Sequence, residues 1–290
     1  MASLKSFIPA NVLSAMVEET LRKSLVLGAV ANTKYQGVIA SAGDSVLIPV
    51  IGDVTITDHT VNDTIVYEAL DSSSIKLVCD QQKRFSFAVD DVDARQAQAD
   101  VAALYADKAA YQLKDASDQF LAGLYTQAGV TSSLGTTATP LTVTAANTTG
   151  GNVGVYDLIA RIAKGLDEKN VPQEGRWLVC PPWLISKLKL AGILTVQGTI
   201  DQMAAINGKV GYTMGFDIRM STNLTNHNAA GSKILAGTMN AMSFVSQILN
   251  VETLRLETKF GDGVRGLYVY GGKVVQPDQL ACATCTETAG

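Results

Sequence analysis

The sequence has little charge, since Asp, Glu, Lys and Arg together make up only 17% of its 290 residues. Acidic residues outnumber basic ones by 27 to 23, so the overall charge offers no case for nucleic-acid binding. Hydrophobic residues make up 47% of the chain, which is enough to bury a core and too many for a disordered protein. A chain of this length can form one large domain or two lobes.

Cysteine is also scarce, with four residues in the chain. Residues 1–20 lack the uninterrupted apolar stretch of a signal peptide, and no apolar run is long enough to span a bilayer. We therefore expect free thiols rather than a disulfide framework, and no membrane partner. Cys79 and Cys180 lie in strand-like runs and are predicted to be small core residues.

Motifs for catalysis or cofactor binding are also lacking. Residues 261–266 match G-x-G-x-x-G, but a strand-like run follows where a dinucleotide site needs a helix, so we predict a hairpin turn. Cys282 and Cys285 form a CxxC pair, but a structural zinc site needs four ligands and a redox pair needs a βαβ context. We interpret that pair as part of a frayed tail. His59 and His227 lie in polar, turn-like segments, so the sequence predicts neither an enzyme nor a cofactor.

A long helix is predicted from Val89 to Gly129, where Ala and Leu are frequent. Helical periodicity separates a charged side (Asp100, Asp107, Lys108, Lys114, Asp115 and Asp118) from an apolar side (Val101, Tyr105, Ala109, Leu113, Ala116, Phe120 and Leu124). Asp93 or Asp100 could cap its start, and Gly129 could end it in a left-handed conformation. Because such a helix is stabilised mainly by burying its apolar side, it needs a sheet against it.

Strand patterns dominate residues 43–89, with polar turns between them. The predicted strands are 46–51, 54–57, 65–67, 75–78 and 85–89. We interpret the middle of this region as a long two-stranded excursion, which should lie on another surface because an isolated hairpin is only marginally stable. Pro49 suits an edge strand. An amphipathic helix is predicted before this region, over Asn11 to Leu25.

Helices and strands alternate in the second half of the chain. A Thr-, Ala- and Gly-rich loop over 130–152 is predicted to hold one short hairpin around Leu141 to Thr144. One helix is predicted at 156–170, and another opens at Pro181 and Pro182. Predicted strands cover 176–180, 216–220, 232–236, 251–260 and 267–275. The last two, joined by a turn beginning at Gly261, could supply the sheet for the long helix.

The order of these parts resembles the major capsid proteins of tailed phages, which have the α+β Hong Kong 97-type fold. The stretches that carry the resemblance are 7–9 with 21–25, 42–46 with 51–54, 87–93, 215–217 with Ser221, 254–257, and 266–271. Each stretch is short, and their shared order makes the set specific. The resemblance extends over nearly the whole chain.

The resemblance implies a division of the chain into functional parts. These are an N-terminal arm (1–36), an extended loop (37–88), a peripheral domain with the spine helix (89–129), an axial domain (130–250), returning peripheral strands (251–277) and a tail (278–290). It implies a structural protein, not an enzyme, whose hexamers and pentamers form an icosahedral shell in the virion.

The resemblance also implies partners. These are further copies of the chain, a scaffolding protein, a portal protein and packaged double-stranded DNA bound without sequence specificity, with assembly in the host cytoplasm. The scaffold is expected to be a separate protein, because the arm-like sequence begins within the first ten residues. Two alternatives stay open: a nanocompartment shell of the same fold around cargo enzymes, and a soluble α+β enzyme or binding module.

The predicted loop is acidic, since no lysine or arginine lies between Lys34 and Lys76. We predict that it crosses onto a basic surface of a neighbouring subunit, although a solvated acidic loop is the alternative. The predicted interface residues are Asp53, Asp58, Asp63, Glu68 and Asp71 in the loop and Lys83, Arg84 and Arg95 near its base, with Arg161, Lys164, Arg255 and Lys259 as further basic candidates. Some family members form an isopeptide bond through a loop lysine, and its absence here predicts a shell without that cross-link.

Overall fold

The structure is a computed structural model that describes residues 26–35, 45–51, 56, 58–59, 72–90, 101–145, 152–191, 209–227, 231–257 and 260–287. The predicted helix at 11–25 and the predicted strand at 65–67 lie outside these residues. Of the predicted strand at 54–57, only Ile56 is described, and its side chain is 95% exposed.

Four α-helices lie in the described ranges. They are α1 (Leu27–Val30), α2 (Val101–Gly123), α3 (Val155–Asp167) and α4 (Pro182–Leu190). A 3-10 turn, Leu124–Gln127, continues α2, which we call the spine helix. The helix predicted at 156–170 is confirmed as α3. Pro182 begins α4 as predicted, because proline has no backbone N–H and the first turn of a helix does not need one.

Within the described residues, twelve strands form three sheets. The strands are β1 (Ser45–Ile51), β2 (Ser72–Val78), β3 (Gln81–Asp90), β4 (Leu141–Thr144), β5 (Val153–Gly154), β6 (Arg176–Cys180), β7 (Lys209–Thr213), β8 (Phe216–Met220), β9 (Ser232–Gly237), β10 (Met242–Arg255), β11 (Gly261–Val274) and β12 (Leu280–Glu287). The strand orders are β1-β2, β10-β11-β3 and β5-β4-β12-β9-β6-β8-β7.

The seven-stranded sheet is covered on both faces. Leu178 and Cys180 of β6 belong to a core that includes α3 and α4. The alternate residues, Trp177 and Val179, belong to a second core with the spine helix and β11. Successive side chains of a strand point to opposite faces, so a strand in the middle of a three-layer arrangement has buried side chains on both faces. All five residues of β6 are accordingly buried.

The three-stranded sheet packs against the apolar side of the spine helix. β11 pairs with β10 on one side and with β3 on the other, both antiparallel. Phe120 of the spine helix contacts Tyr270 of β11 edge to face, with ring centroids 5.4 Å apart. The strands that return late in the sequence therefore pack on the long helix, as predicted, and β10 begins at Met242 rather than at the predicted Val251.

The spine helix is shorter than predicted at both described ends. Val89 and Asp90 are the last residues of β3, and the described helix starts at Val101. Gly129 does not adopt the left-handed conformation predicted for it. A Cβ at that position would lie 2.7 Å from the backbone carbon of Pro277, so Gly129 permits close packing instead.

Three predictions for loop-like segments are wrong. Residues 141–144 are no hairpin, because β4 pairs in parallel with β12 and β5. Cys282 and Cys285, interpreted as part of a frayed tail, instead lie in β12 (Leu280–Glu287), a strand between β4 and β9 with six buried residues in succession. The glycine-rich segment 261–266 lies within β11 and is neither a turn nor a nucleotide loop.

Candidate subunit interface

A catalytic or metal centre does not stand out in the described ranges. No group of three His, Cys, Asp or Glu residues there could hold a metal ion. No helix in those ranges is both long enough and apolar enough to cross a membrane. His59 is exposed in a stretch without regular structure, and His227 is half-buried after β8. The features that stand out are two exposed sheet surfaces, which could contact another subunit, and a buried cluster of carboxylates on the spine helix.

The two-stranded sheet β1-β2 forms the base of the predicted excursion, and we call it the loop base. Its antiparallel register runs from Ser45 opposite Val78 to Ile51 opposite Ser72. Pro49 lies in β1, which is an edge strand of this two-stranded sheet. Edge strands tolerate proline, because N–H groups on their outer side have no partner strand. The loop base sits on the three-stranded sheet through a small apolar cluster: Ile48, Leu77, Cys79, Val245 and Val269.

The far half of the three-stranded sheet projects beyond this cluster. We call residues 84–90, 252–257 and 260–266 the outer sheet. Apart from Gly261 and Gly266, its described side chains are exposed or half-buried. Leu254 is 42% exposed and Phe260 is 83% exposed. Apolar side chains at a projecting sheet indicate a surface that another protein surface could cover.

Lys83 and Arg84 are both exposed on β3, but they lie on opposite faces of the sheet. Lys83 is opposite Tyr268, which packs in the core on the spine-helix side. Arg84 is opposite Leu267, which packs against the cluster under the loop base. Within the part of the chain that the structure describes, neither has an ion-pair partner. One neighbouring loop therefore cannot contact both residues across a single face.

Arg265 shares the face of Arg84, because it is opposite Ser86 in the ladder. Its guanidinium donates to Glu252 at 2.6 Å and 2.8 Å, which reduces its availability to another carboxylate. We call this face, with Arg84 and Arg265, the Arg84 face.

The other predicted interface residues are only partly placed. Asp58 is described and exposed, whereas Asp53, Asp63, Glu68, Asp71 and Arg95 lie outside the described residues. Three further basic candidates have carboxylate partners within the chain: Arg161 with Asp157, Lys164 with Glu168, and Arg255 with Asp262. Lys259 lies outside the described residues. Among the predicted basic residues that the structure describes, Lys83 and Arg84 are thus exposed and without a carboxylate partner in the described ranges.

A buried acidic junction joins the spine helix to two distant segments, and the sequence did not indicate it. Asp118 Oδ1 accepts hydrogen bonds from the backbone N–H groups of Leu27, at 2.7 Å, and Gly28, at 3.2 Å. The Nδ2 group of Asn223 donates to Asp118 Oδ2 at 3.0 Å and to Asp115 Oδ1 at 2.8 Å. The two carboxylates, predicted on the charged side of the helix, are only 7% and 2% exposed for Asp115 and Asp118.

Burial raises the pKa of Asp118 above its ordinary value. Hydrogen bonds from the Asn223 amide and from the backbone N–H groups of residues 26–28 oppose that rise, because they favour the ionised carboxylate. The segment held by Asp118 continues onto β10, where the Asn32 N–H donates to the Met242 carbonyl at 2.8 Å. The junction therefore fixes residues 27–32 between the spine helix and β10.

All four cysteines are free and buried, which confirms the prediction of free thiols. Cys180 and Cys285 lie in the core under α3 and α4, and Cys282 lies in the core on the spine-helix side. Burial raises the pKa of the Cys285 thiol to about 12 and that of Cys282 to about 11. Thiols of this kind are core residues and not nucleophiles.

Comparisons with known proteins point in one direction. The family model described as phage capsid protein matches residues 75–283. A structure from Mycobacterium phage Che8 is 27% identical, with 97% of this chain and 98% of that chain covered at a TM-score of 0.70. The capsid structure of cyanophage P-SCSP1u is 18% identical, with 95% and 92% covered at 0.70. The mature capsid of bacteriophage PhiM1 is 15% identical, with 93% and 90% covered at 0.64. A search of curated proteins gave no match.

Proposed function

This chain belongs to the phage capsid protein family, and on that basis we propose that its copies assemble as hexamers and pentamers into an icosahedral shell around double-stranded DNA. It is a structural major capsid protein of a tailed phage, with the Hong Kong 97-type fold, and it is a component of the virion capsid. The observation that carries the proposal is the family match over most of the chain, joined to structural similarity along nearly its full length.

The projecting parts of the subunit support assembly. The outer sheet has two solvent-facing surfaces, and Leu254 and Phe260 are exposed on it. The loop base leads into a segment, 52–71, without lysine or arginine that carries five carboxylates. Features of this kind are a liability in an isolated monomer and are useful where copies tile against one another.

The interface we propose places the acidic loop of one subunit on the Arg84 face of its neighbour. Arg84 is exposed and has no ion-pair partner in the described part of the chain, whereas Arg265 already has Glu252. Lys83 lies on the opposite face and would serve a different contact. Each exposed ion pair is worth only about 0–1 kcal/mol, but a closed lattice repeats it in every subunit.

The functional parts also follow from the proposal, with boundaries adjusted to the strands. The axial domain would hold the seven-stranded sheet, including β12 at the C-terminal end. The peripheral domain would hold the spine helix and the three-stranded sheet, including β10 from Met242 onward. The remaining partners that we propose are a scaffolding protein, a portal protein and DNA that is enclosed without sequence recognition, with assembly in the host cytoplasm.

Electron microscopy of the expressed protein, with size-exclusion chromatography, tests the proposal. We expect closed shells containing both six-fold and five-fold capsomers. A stable monomer at high concentration, with or without a candidate scaffold, would contradict it. The contents of purified particles separate the two kinds of shell, since a nanocompartment would contain protein cargo instead of DNA.

A further inference from the structure

The loop base and β11 touch backbone to backbone at Gly271. A Cβ at this position would overlap the backbone oxygen of Val78 and lie 2.9 Å from the Cα of Cys79. Real Cβ atoms essentially never approach backbone atoms so closely, and a backbone cannot swing aside as a side chain can. The contact is therefore possible only with glycine at 271.

The next residue, Gly272, faces the opposite side of the same strand. A Cβ there would lie 3.1 Å from Leu121 Cδ2 and 3.3 Å from Phe120 Cε1, both on the spine helix. Two successive glycines thus remove side chains from both faces of β11 at one point. The loop base lies against one face there and the spine helix lies against the other.

Among the described residues, a small apolar cluster holds the loop base on the sheet. A polar contact from the Lys273 ammonium to the Lys76 carbonyl, 3.5 Å long, lies beside it. By contrast, β3 begins two residues after Cys79 and pairs with β11 at ten successive positions. An added side chain at 271 would therefore displace the loop base rather than β3.

We propose that Gly271 is a positioning residue that sets the direction in which the extended loop leaves the subunit, and so decides whether the loop reaches a neighbouring copy. This inference depends on the proposed function, because it assumes that the loop makes a contact between subunits. Any side chain at 271 lifts Val78 and Cys79 from β11 and turns the loop base away from its native direction.

The test compares Gly271→Ala with Gly123→Ala. Gly123 has a helical φ of −68° and open space within 4 Å of an added Cβ, so it controls for the chemical change alone. Cys79 is 2% exposed beneath the loop base, and Cys180, Cys282 and Cys285 lie in the larger cores. Iodoacetamide labelling of unassembled subunits, located by mass spectrometry, therefore reports separately on the loop base and on the rest of the fold.

We expect Gly271→Ala to label Cys79 at least about tenfold faster than wild type, with the other three thiols unchanged, because only a local contact opens. Its subunits should fail to form regular shells, while Gly123→Ala should behave as wild type in both assays. Three results for Gly271→Ala would each overturn the inference. They are labelling of Cys79 at the wild-type rate, equal labelling of all four thiols, and assembly into normal shells. A wild-type protein that forms no shells would instead contradict the proposed function.

Discussion

Asp118, in the second half of the spine helix, accepts a 2.7 Å hydrogen bond from the backbone N–H of Leu27, a residue 91 positions earlier in the chain. The same carboxylate is bound by the amide of Asn223, which follows β8. One buried side chain thereby fixes the N-terminal segment and the seven-stranded sheet to the helix between them. Buried polar groups of this kind are costly to leave without partners.

Replacing Asp118 should therefore destabilise the subunit. In Asp118→Ala the N–H groups of Leu27 and Gly28 lose their acceptor, and we expect a loss of about 2–3 kcal/mol in the free energy of unfolding. Urea denaturation of unassembled subunits measures it. The control is Glu168→Ala, which removes an exposed carboxylate from a 3.4 Å ion pair and should cost no more than about 0.5 kcal/mol. Equal effects of the two substitutions would contradict the role given to Asp118.

The pH dependence of the same junction has a definite sign. Burial raises the pKa of Asp118 above 3.8, so the folded state binds this proton more tightly than the unfolded state. The contribution of Asp118 to stability therefore falls as pH rises from about 4 through the folded-state pKa, and returns as pH falls. Asp115 accepts a hydrogen bond from the same Asn223 amide. It is present in both wild type and Asp118→Asn, so a comparison of these two proteins isolates Asp118.

We accordingly expect the stability of wild type relative to Asp118→Asn to increase on acidification from about pH 7 to about pH 4. The urea midpoints of both proteins across this pH range measure the difference in stability. Other titrating groups are the same in the two proteins, so their effects largely cancel in that difference. A difference that shrinks on acidification would show that the hydrogen bonds to the ionised carboxylate outweigh its burial.

Much of the fold could be predicted because its elements have strong local patterns. Residues 177–180 of β6 form an apolar run, and Pro182 marks the start of α4. The Asp118 junction could not be predicted in this way. Periodicity separates two sides of a helix, but it does not reveal that further elements cover the charged side. The absence of any lysine or arginine from 115 to 124 was the available signal, since a solvated helix face usually carries some.

Two errors in the sequence predictions come from small residues. β12 contains Ala, Cys and Thr, which give no strong strand pattern, yet small side chains suit a strand placed between β4 and β9. The glycines of 261–266 suggested a turn. In the structure a Cβ at Gly266 would overlap the ring of Phe85, and one at Gly263 would lie 3.0 Å from Leu256. Glycine in these strands reflects close packing between side chains and backbone, which sequence spacing does not reveal.

The cysteines should be chemically silent in the folded subunit. With thiol pKa values of about 11 for Cys282 and about 12 for Cys285, very little thiolate exists at about pH 8. We expect no labelling by iodoacetamide under native conditions and four labelled thiols after unfolding in guanidinium, measured by intact mass. Rapid native labelling of Cys180, Cys282 or Cys285 would contradict the buried position of β6 or β12.

The shell should be held without covalent bonds between subunits. No lysine lies between Lys34 and Lys76, so the outer part of the loop offers no amine for an isopeptide bond. Denaturing gels of mature particles should show a single band near 30.6 kDa. A ladder of multiples of that mass would contradict this prediction and would direct attention to Lys76 and Lys83 near the base of the loop.

The charge of the interface can be tested from both sides. Since Lys83 and Arg84 lie on opposite faces of β3, reversing their charges should have different effects. Arg84→Glu should weaken assembly or raise its sensitivity to salt, because it places a carboxylate where the acidic loop would dock. Lys83→Glu, one position away and also exposed, is the matched control and should assemble more nearly as wild type.

The complementary change is in the loop, where Asp58→Asn, Asp63→Asn and Glu68→Gln together remove three negative charges. We expect this variant to lose both assembly yield and part of the salt dependence, as measured by light scattering at increasing sodium chloride concentrations. Combined with Arg84→Glu, it should assemble better than Arg84→Glu alone, because the repulsion is removed. If the loop variant assembles with unchanged yield and salt dependence, the acidic residues are solvated, and the Arg84 face makes some other contact.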